Sequence, residues 1–438
     1  MMAGKKEIKL VPTEEQPYEI PENWCWVRMR DLYVINPKNS ASDDLPASFV
    51  PMERIAPGMV SDFTYEVQPW GKAKKGHTQF ADGDVAFAKI SPCFENRKSM
   101  MVNGLENGIG AGTTELIILR QPLVDQAYTF WLVSDDRFIQ GGNQTYSGTV
   151  GQQRISMDYV RDYPVPLAPL AEQKRIVDTI VDLFADLDKA AENAQRIVDT
   201  YEQRRAAILA DAFAGNLTEQ WRNENGYSLS TWRTCRFDEV AAIKSNLVDP
   251  ADYQEYPHIA PDNIEKRSGV LLNYRTIAED KVTSGKHRFY PGQILYSKIR
   301  PYLSKVTMVD FDGLCSADMY PIEAMENTRY LLYFMLSDEF LEQASSAGSR
   351  SVLPKINQKE LSALEVRMPD TEAEQQEIVR ILDELLGNEQ RIKEAAEEML
   401  DKLAMMKKSI LADAFRGKLG TNDSADEPAT ELLRQILA

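Results

Sequence analysis

Several short runs in this chain have residue types and spacings that could carry chemistry, and most do not hold up. Glu172-Gln-Lys174 has the ExK spacing of a nuclease site, but it stands at a predicted helix start just after Pro164, Pro166 and Pro169, where an acidic first-turn residue has a plain capping role. Gly108-Ile-Gly-Ala-Gly112 resembles a cofactor-binding glycine loop. That fingerprint needs a strand before it and a helix after it, whereas Thr113 to Leu119 reads as a strand, so the glycines are expected to form a turn. Asn36-Pro37 begins an Asn-Pro-Pro-aromatic motif of amino-methyltransferases that Lys38 and Asn39 break. The sequence contains no GxxxxGK[ST], HExxH or GxSxG. Its histidines, His77, His258 and His287, leave few general bases and read as surface or loop residues. The chain reads as non-catalytic, with no catalytic, cofactor or metal residues of its own.

What remains is a chemistry of binding. Lys89, Ser91, Asn96, Arg97 and Lys98 follow one short apolar strand, with Lys72, Lys74, Lys75 and His77 ahead of it. Lys298, Arg300, Tyr302, Ser304 and Lys305 follow a second strand, with Lys286, His287 and Arg288 ahead. Two Gly/Ser-containing loops, 147–155 and 347–356, add Ser147, Gln152, Gln153, Arg154, Ser349, Arg350 and Lys355. Arginine suits bidentate guanine readout, Gln and Asn suit adenine, and Lys and Ser commonly hold phosphates. These residues, His77 and His287 apart, are the candidate DNA contacts; a solvated charged face is the plain alternative.

The elements that would position them follow from composition and pattern. The chain has 438 residues, 43% of them hydrophobic and 27% charged, an ordinary globular composition with room for about two to three domains. No apolar run approaches a membrane span, and the N-terminal stretch has no apolar core of a secretory signal, so a cytoplasmic location is expected. Cys25, Cys93, Cys235 and Cys315 are far apart with no CxxC, which suits reduced thiols. The net charge of −17 argues at first against nucleic acid, but −3 of it lies in 170–222 and −7 in 370–438. The remainder is only mildly acidic and can carry a basic face.

The chain is written twice. Ile208-Leu-Ala-Asp-Ala-Phe213 recurs as Ile410-Leu-Ala-Asp-Ala-Phe415, and Ala171-Glu-Gln-Lys-Arg-Ile-Val177 is answered by Ala373-Glu-Gln-Gln-Glu-Ile-Val379. Phe80 to Pro92 answers Phe289 to Pro301, and Trp24 and Trp232 open the copies. Such a long period means two domain-sized units rather than a solenoid. Positions 176 to 208 and 378 to 410, stepping alternately by four and three, keep an apolar seam broken only at Arg204 and Glu389. This predicts two long helices packed on each other, the first running ~64 Å at ~1.5 Å per residue as a spacer rather than a core element. In an antiparallel pair, setting Arg204 opposite Glu389 also sets Leu187 opposite Met406; the two charges either pair and fix the register or reach solvent separately. Asp82-Gly83-Asp84 and Pro291-Gly292-Gln293 are turns leading into strands at Val85 to Ala88 and Ile294 to Tyr296, with helices expected around Tyr128 to Ile139 and Arg329 to Gln343.

This plan resembles the specificity (S) subunit of type I restriction-modification enzymes over nearly the whole chain. The marks are Pro169-Leu-Ala-Glu-Gln173 entering the first helix, the Ile-Leu-Ala-Asp-Ala-Phe-x-Gly-x-Leu stretch closing both, and Leu217-Thr-Glu-Gln-Trp-Arg222 at the first exit; Leu419-Gly-Thr-Asn-Asp423 lacks the Gln-Trp-Arg. The resemblance implies an α+β fold: two similar mixed α/β target-recognition domains (1–169 and 223–369), each followed by a long helix, packed as an antiparallel coiled coil with pseudo-two-fold symmetry. The first helix and its exit occupy 170–222, the second 370–420, and a polar linker with a short C-terminal helix 421–438. It implies a bipartite double-stranded DNA site read one half per domain. Two methyltransferase (M) subunits would dock on the helices, with the restriction/translocase (R) subunits held through them; those partners would carry S-adenosylmethionine and ATP/Mg. The competing reading is a non-catalytic adaptor with paired protein- or glycan-binding domains on a coiled-coil spacer.

Overall fold

The computed structural model describes residues 9–149, 152–348 and 354–438. The chain forms two compact units, one from residues 1–193 and 399–438, the other from residues 194–398.

The units repeat one mixed plan. In the first, Val34–Ile35, Leu116–Arg120, Val85–Ala88 and Ser99–Met101 form one antiparallel sheet in that spatial order; Glu66–Pro69, Pro46–Val50, Ile109–Gly112 and Thr78–Ala81 form another. The second unit repeats both, with Ala241–Ile243, Met319–Ala324, Ile294–Ser297 and Val306–Met308 in the first sheet. Its other sheet gains an edge strand at Leu247–Val248. Each second sheet contains one parallel pairing, Ser48 with Gly110 and His258 with Leu314.

The expected strands after the two turns form, but the Gly108–Gly112 run is not a turn. Ile109–Gly112 is an inner strand, and its glycines are needed because side chains at Gly110 and Gly112 would overlap Phe80 and the carbonyls of Ser48 and Val50. Gly313 lies under Phe289 in the same way, so the aromatic-on-glycine packing occurs twice. Each expected domain helix is instead two. Asp135 and Ser337 leave the helical region and cap new helices, Asp136–Asn143 and Asp338–Ala347.

The long helices run Leu170–Asp199, Tyr201–Ala214 and Glu372–Ala414. The first is thus interrupted at Thr200, whose hydroxyl donates to the Arg196 carbonyl at 2.7 Å, a back-bond that bends helices. Pairing is antiparallel: Tyr201 donates to Gln390 at 2.7 Å while Arg204, further along, meets Glu389. In the first unit Lys407 pairs with Asp188. The buried seam is narrower than the apolar pattern. Ile180, Ala194 and Tyr201, and Leu382, Ala396 and Leu403, are buried, whereas the intervening Ile197, Ile392, Met399 and Met406 are exposed.

The helix ends are core elements of their own units. Phe415 packs edge-on to Tyr128 at 5.2 Å between centroids, within a core that includes Ile176, Ile180, Leu411, Leu432 and Leu433. Phe213 packs on Tyr330 at 5.5 Å, within a core that includes Leu209, Ile378 and Leu382. The helix Ala429–Leu437 is therefore anchored by its apolar face.

Glu172 does more than cap. It is fully buried and accepts from the Trp24 indole at 2.7 Å, with Asn422 at 2.9 Å and Thr421 at 3.3 Å. Glu374, its repeat equivalent, accepts from Thr218, Arg222 and the Trp232 indole at 2.9, 2.8 and 3.0 Å. Where the second exit lacks an Arg222, the first unit uses polar uncharged donors on the carboxylate, and Arg175 ties the Thr421 carbonyl and Asp426 to the helix.

Candidate nucleic-acid interface

Each unit brings its post-strand loop and its Gly/Ser loop into one surface. In the first, Lys89 N–H donates to the Glu115 carbonyl at 2.8 Å, Ile155 N–H to Lys89 at 3.0 Å, and Ser91 N–H to Gln153 at 2.8 Å. Ser147 and Arg154 close the loop with two backbone bonds of 3.1 and 2.9 Å. The second unit repeats the ladder: Lys298 N–H to Asp318 at 3.0 Å, Ile356 N–H to Lys298 at 3.0 Å, Arg300 N–H to Pro354 at 2.8 Å. Two loops separated in sequence are thus tied side by side by main-chain hydrogen bonds that place no demand on side-chain identity. Arg97, Arg300 and Ser304 in these loops adopt left-handed backbone, which non-glycine residues seldom do without a local reason.

The candidate side chains fall into three groups. Lys72, Lys75, Asn96, Ser147, Gln152, Arg300 and Tyr302 are exposed, and Lys89 and Gln153 are half-buried. A second group is surface-placed but already engaged. Lys74 pairs with Asp43 at 2.6 Å, Ser91 donates to Glu95 at 2.8 Å, and Lys98 donates to the Met52 carbonyl at 2.8 Å. Lys298 donates to the Ala317 carbonyl at 2.5 Å and Lys305 to that of Pro261 at 2.7 Å. Arg288 lies over the rings of Tyr253, Tyr256 and Tyr290 at 5.4, 5.8 and 4.8 Å. The third group serves the fold. Arg97 is held by Asp136 and the Ser134 carbonyl, and burial pulls its pKa below the ordinary value. Lys286 is buried with its ammonium on Ser284, its pKa lowered by desolvation, and Ser304 is buried with its hydroxyl on the Met335 carbonyl at 3.4 Å. Arg97 and Ser304 are thus spent on fastening the post-strand loops, and Lys286 on the residues just ahead of its own strand. Ser349 and Arg350 lie outside the described residues.

Neither remaining histidine behaves as a plain loop residue. His287 is a buried strand residue whose pKa burial lowers, and His258, also buried in a strand, contacts Asp280 at 2.8 Å. His77 stays near the surface, its Nδ1 2.9 Å from the Ala73 carbonyl.

Two residues were missed by sequence reasoning. Glu115 takes both Arg154 Nε and a terminal nitrogen, at 2.9 and 2.7 Å, and Asp318 takes Lys355 at 3.2 Å. Thr113-Thr-Glu115 and Ser316-Ala-Asp318 each lead directly into an inner strand, a correspondence outside the segments whose residues repeat.

Known proteins share part of this sequence and its fold. Residues 230–398 match the model of the type I restriction modification DNA specificity domain. Over part of its length the chain is similar in sequence to type I restriction-enzyme specificity subunits. It is 40% identical over 290 residues to the EcoDI specificity subunit of Escherichia coli, covering 61% of this chain and 65% of that one. To the EcoEI specificity subunit of Escherichia coli it is 35% identical over 231 residues, 51% of this chain and 39% of that one. The matches thus span less than two thirds of these relatives' own length. Among solved structures, the fold is similar to the HsdS subunit from Thermoanaerobacter tengcongensis (TM-score 0.65, 19% identity, 92% of this chain and 100% of that one). It is also similar to a chain from a study of complex assembly and conformational transition of the type I R-M system (TM-score 0.73, 19% identity, 92% and 100% coverage). Among the described residues no helix is long and apolar enough to cross a membrane.

Proposed function

We propose that this chain is the sequence-specific DNA-binding subunit of a type I restriction-modification complex, working in the cytoplasm and performing no catalysis itself. Each recognition domain, 1–169 and 223–369, reads one half of a bipartite duplex site. The observation that carries this reading is the paired loop surface built twice on the same main-chain ladder, with different side chains in each copy. Two readers with one scaffold and unlike side chains suit a site with two unlike halves. Direct contacts fall first to the unengaged Lys72, Lys75, Lys89, Asn96, Ser147, Gln152, Gln153, Arg300 and Tyr302, then to the engaged but accessible Arg154, Lys298, Lys305 and Lys355.

The helices carry the methyltransferase subunits and, through them, the restriction subunits. Supporting this, Ile392, Met399, Met405 and Met406 are exposed on helix surface, where a monomer has no use for large apolar side chains. The acidic excess of the helices then meets protein rather than DNA.

The test is an exchange of residues 1–169 for the equivalent region of another specificity subunit, read by mapping methylated adenines in a host carrying the complex. One half of the methylated motif should change and the other persist. A joint change of both halves would overturn the modular reading.

A further inference from the structure

In both units the cation of the Gly/Ser loop that stands next to the post-strand loop is matched by a carboxylate at the start of an inner strand. Arg154 is held bidentately by Glu115, and its remaining terminal nitrogen donates to the Gln152 carbonyl at 2.9 Å. Lys355 is held by Asp318. The carboxylates cannot drift away with the loop, because the main-chain carbonyls of Glu115 and Asp318 anchor Lys89 and Lys298. Both cations remain at the surface, the Arg154 side chain 42% exposed and that of Lys355 47% exposed, so neither pair is a buried core contact. The residue types differ between copies, Glu with Arg and Asp with Lys, while charge and place are kept. A packing role would not preserve charge through such a change of shape.

Resting on the DNA-binding reading above, we infer that Glu115 and Asp318 are specificity-determining latches: each neutralises its loop cation against the phosphates of any duplex. A neutral pair releases no counterion and adds no long-range attraction, so sequence-independent binding is held down. A target half-site frees the cation by supplying, at the same spot, base-edge acceptors that replace the carboxylate. Discrimination arises because a mismatched duplex offers the cation phosphate alone, for which it must give up an equally good anion, whereas a target half-site adds correctly placed base-edge acceptors to that phosphate.

The experiment titrates the full chain with a duplex of random sequence at several salt concentrations, using E115Q, D318N, the two combined, and E115Q combined with R154A. Both carboxylate substitutions keep side-chain shape, and circular dichroism checks folding. Each of E115Q and D318N should raise random-duplex affinity several-fold and steepen the salt slope by roughly one, the double variant by roughly two. Adding R154A to E115Q should remove that variant's gain. Duplex binding that E115Q and D318N leave unchanged or weaken overturns the latch while the DNA-binding reading stands. Absence of duplex binding in every folded variant, wild type included, overturns both.

Discussion

Arg204 Nε donates to the Glu389 carboxylate at 2.7 Å, joining the two polar breaks in the helical seam. Arg204 also reaches back to the Ile197 carbonyl at 3.2 Å and to the Thr200 hydroxyl, beside the turn where the first helix is interrupted. One side chain therefore ties the interruption at Thr200, through the Ile197 carbonyl and the Thr200 hydroxyl, to the second helix, a pairing that suits a fixed register.

A double-mutant cycle on Arg204→Leu and Glu389→Leu should return a coupling energy that differs from zero. Both side chains are only partly exposed, Arg204 at 33% and Glu389 at 17%, which places the coupling at about 0.5–1 kcal/mol. Urea unfolding of the four proteins measures it; a value within error of zero would mean that the two charges are solvated independently.

Removing Glu374 should cost far more. Arg222 and Glu374 are both almost completely buried, and the carboxylate also serves Thr218 and the Trp232 indole. Glu374→Ala leaves a guanidinium without its counter-charge, a loss of about 3–5 kcal/mol. Hydrogen exchange of the strand Trp232–Arg236 should report it, and protection equal to wild type would show that water or another residue replaces the carboxylate.

How far the sequence announces this structure depends on the range of each interaction. The Phe213 and Phe415 hexapeptides and the apolar seam are local patterns, and they locate the long helices and the duplication. Nothing local shows that Phe213 and Phe415 would dock on Tyr330 and Tyr128, so the helix ends read as spacer when they are also core. Glu172 reads as a first-turn acid because its partner, Trp24, is remote in sequence. The Gly108–Gly112 run reads as a turn because glycine more often marks turns than strands overlaid by an aromatic ring. At the candidate interface, the loops are legible by composition and by their place in the repeat. The commitment of Arg97, Lys286 and Ser304 to contacts within the fold, and the pairing of Arg154 and Lys355 with Glu115 and Asp318, depend on tertiary structure that no spacing encodes.

Gly110→Ala and Gly313→Ala should each destabilise their own unit by about 1–3 kcal/mol, since a methyl group at either site overlaps the Phe80 or Phe289 ring. The compensating pairs Gly110→Ala with Phe80→Leu, and Gly313→Ala with Phe289→Leu, should recover part of that loss. Thermal unfolding of the single and double variants decides it; no recovery would assign the cost to the Ser48 and Pro257 carbonyls that also crowd these positions.

The loop after the second repeated strand separates surface roles from structural ones within a few residues. Arg300 is exposed, and its backbone N–H is tied to Pro354, so its side chain is presented by a fixed main chain. Ser304 is buried, with its hydroxyl on Met335, and Lys305 is half-engaged with Pro261 and Asp262. Arg300→Ala should therefore weaken duplex binding without changing stability, lowering the salt slope by roughly one if the contact is a phosphate. A base contact would instead relax one position of the motif at about 1–3 kcal/mol. Ser304→Ala should leave the affinity of the folded protein unchanged and lower its melting temperature, because it removes a buried hydrogen bond rather than a contact to DNA. Binding isotherms across a salt series, with melting curves on the same samples, check both. A stable Ser304→Ala protein with weakened duplex binding would show that this loop rearranges to bring Ser304 to the surface.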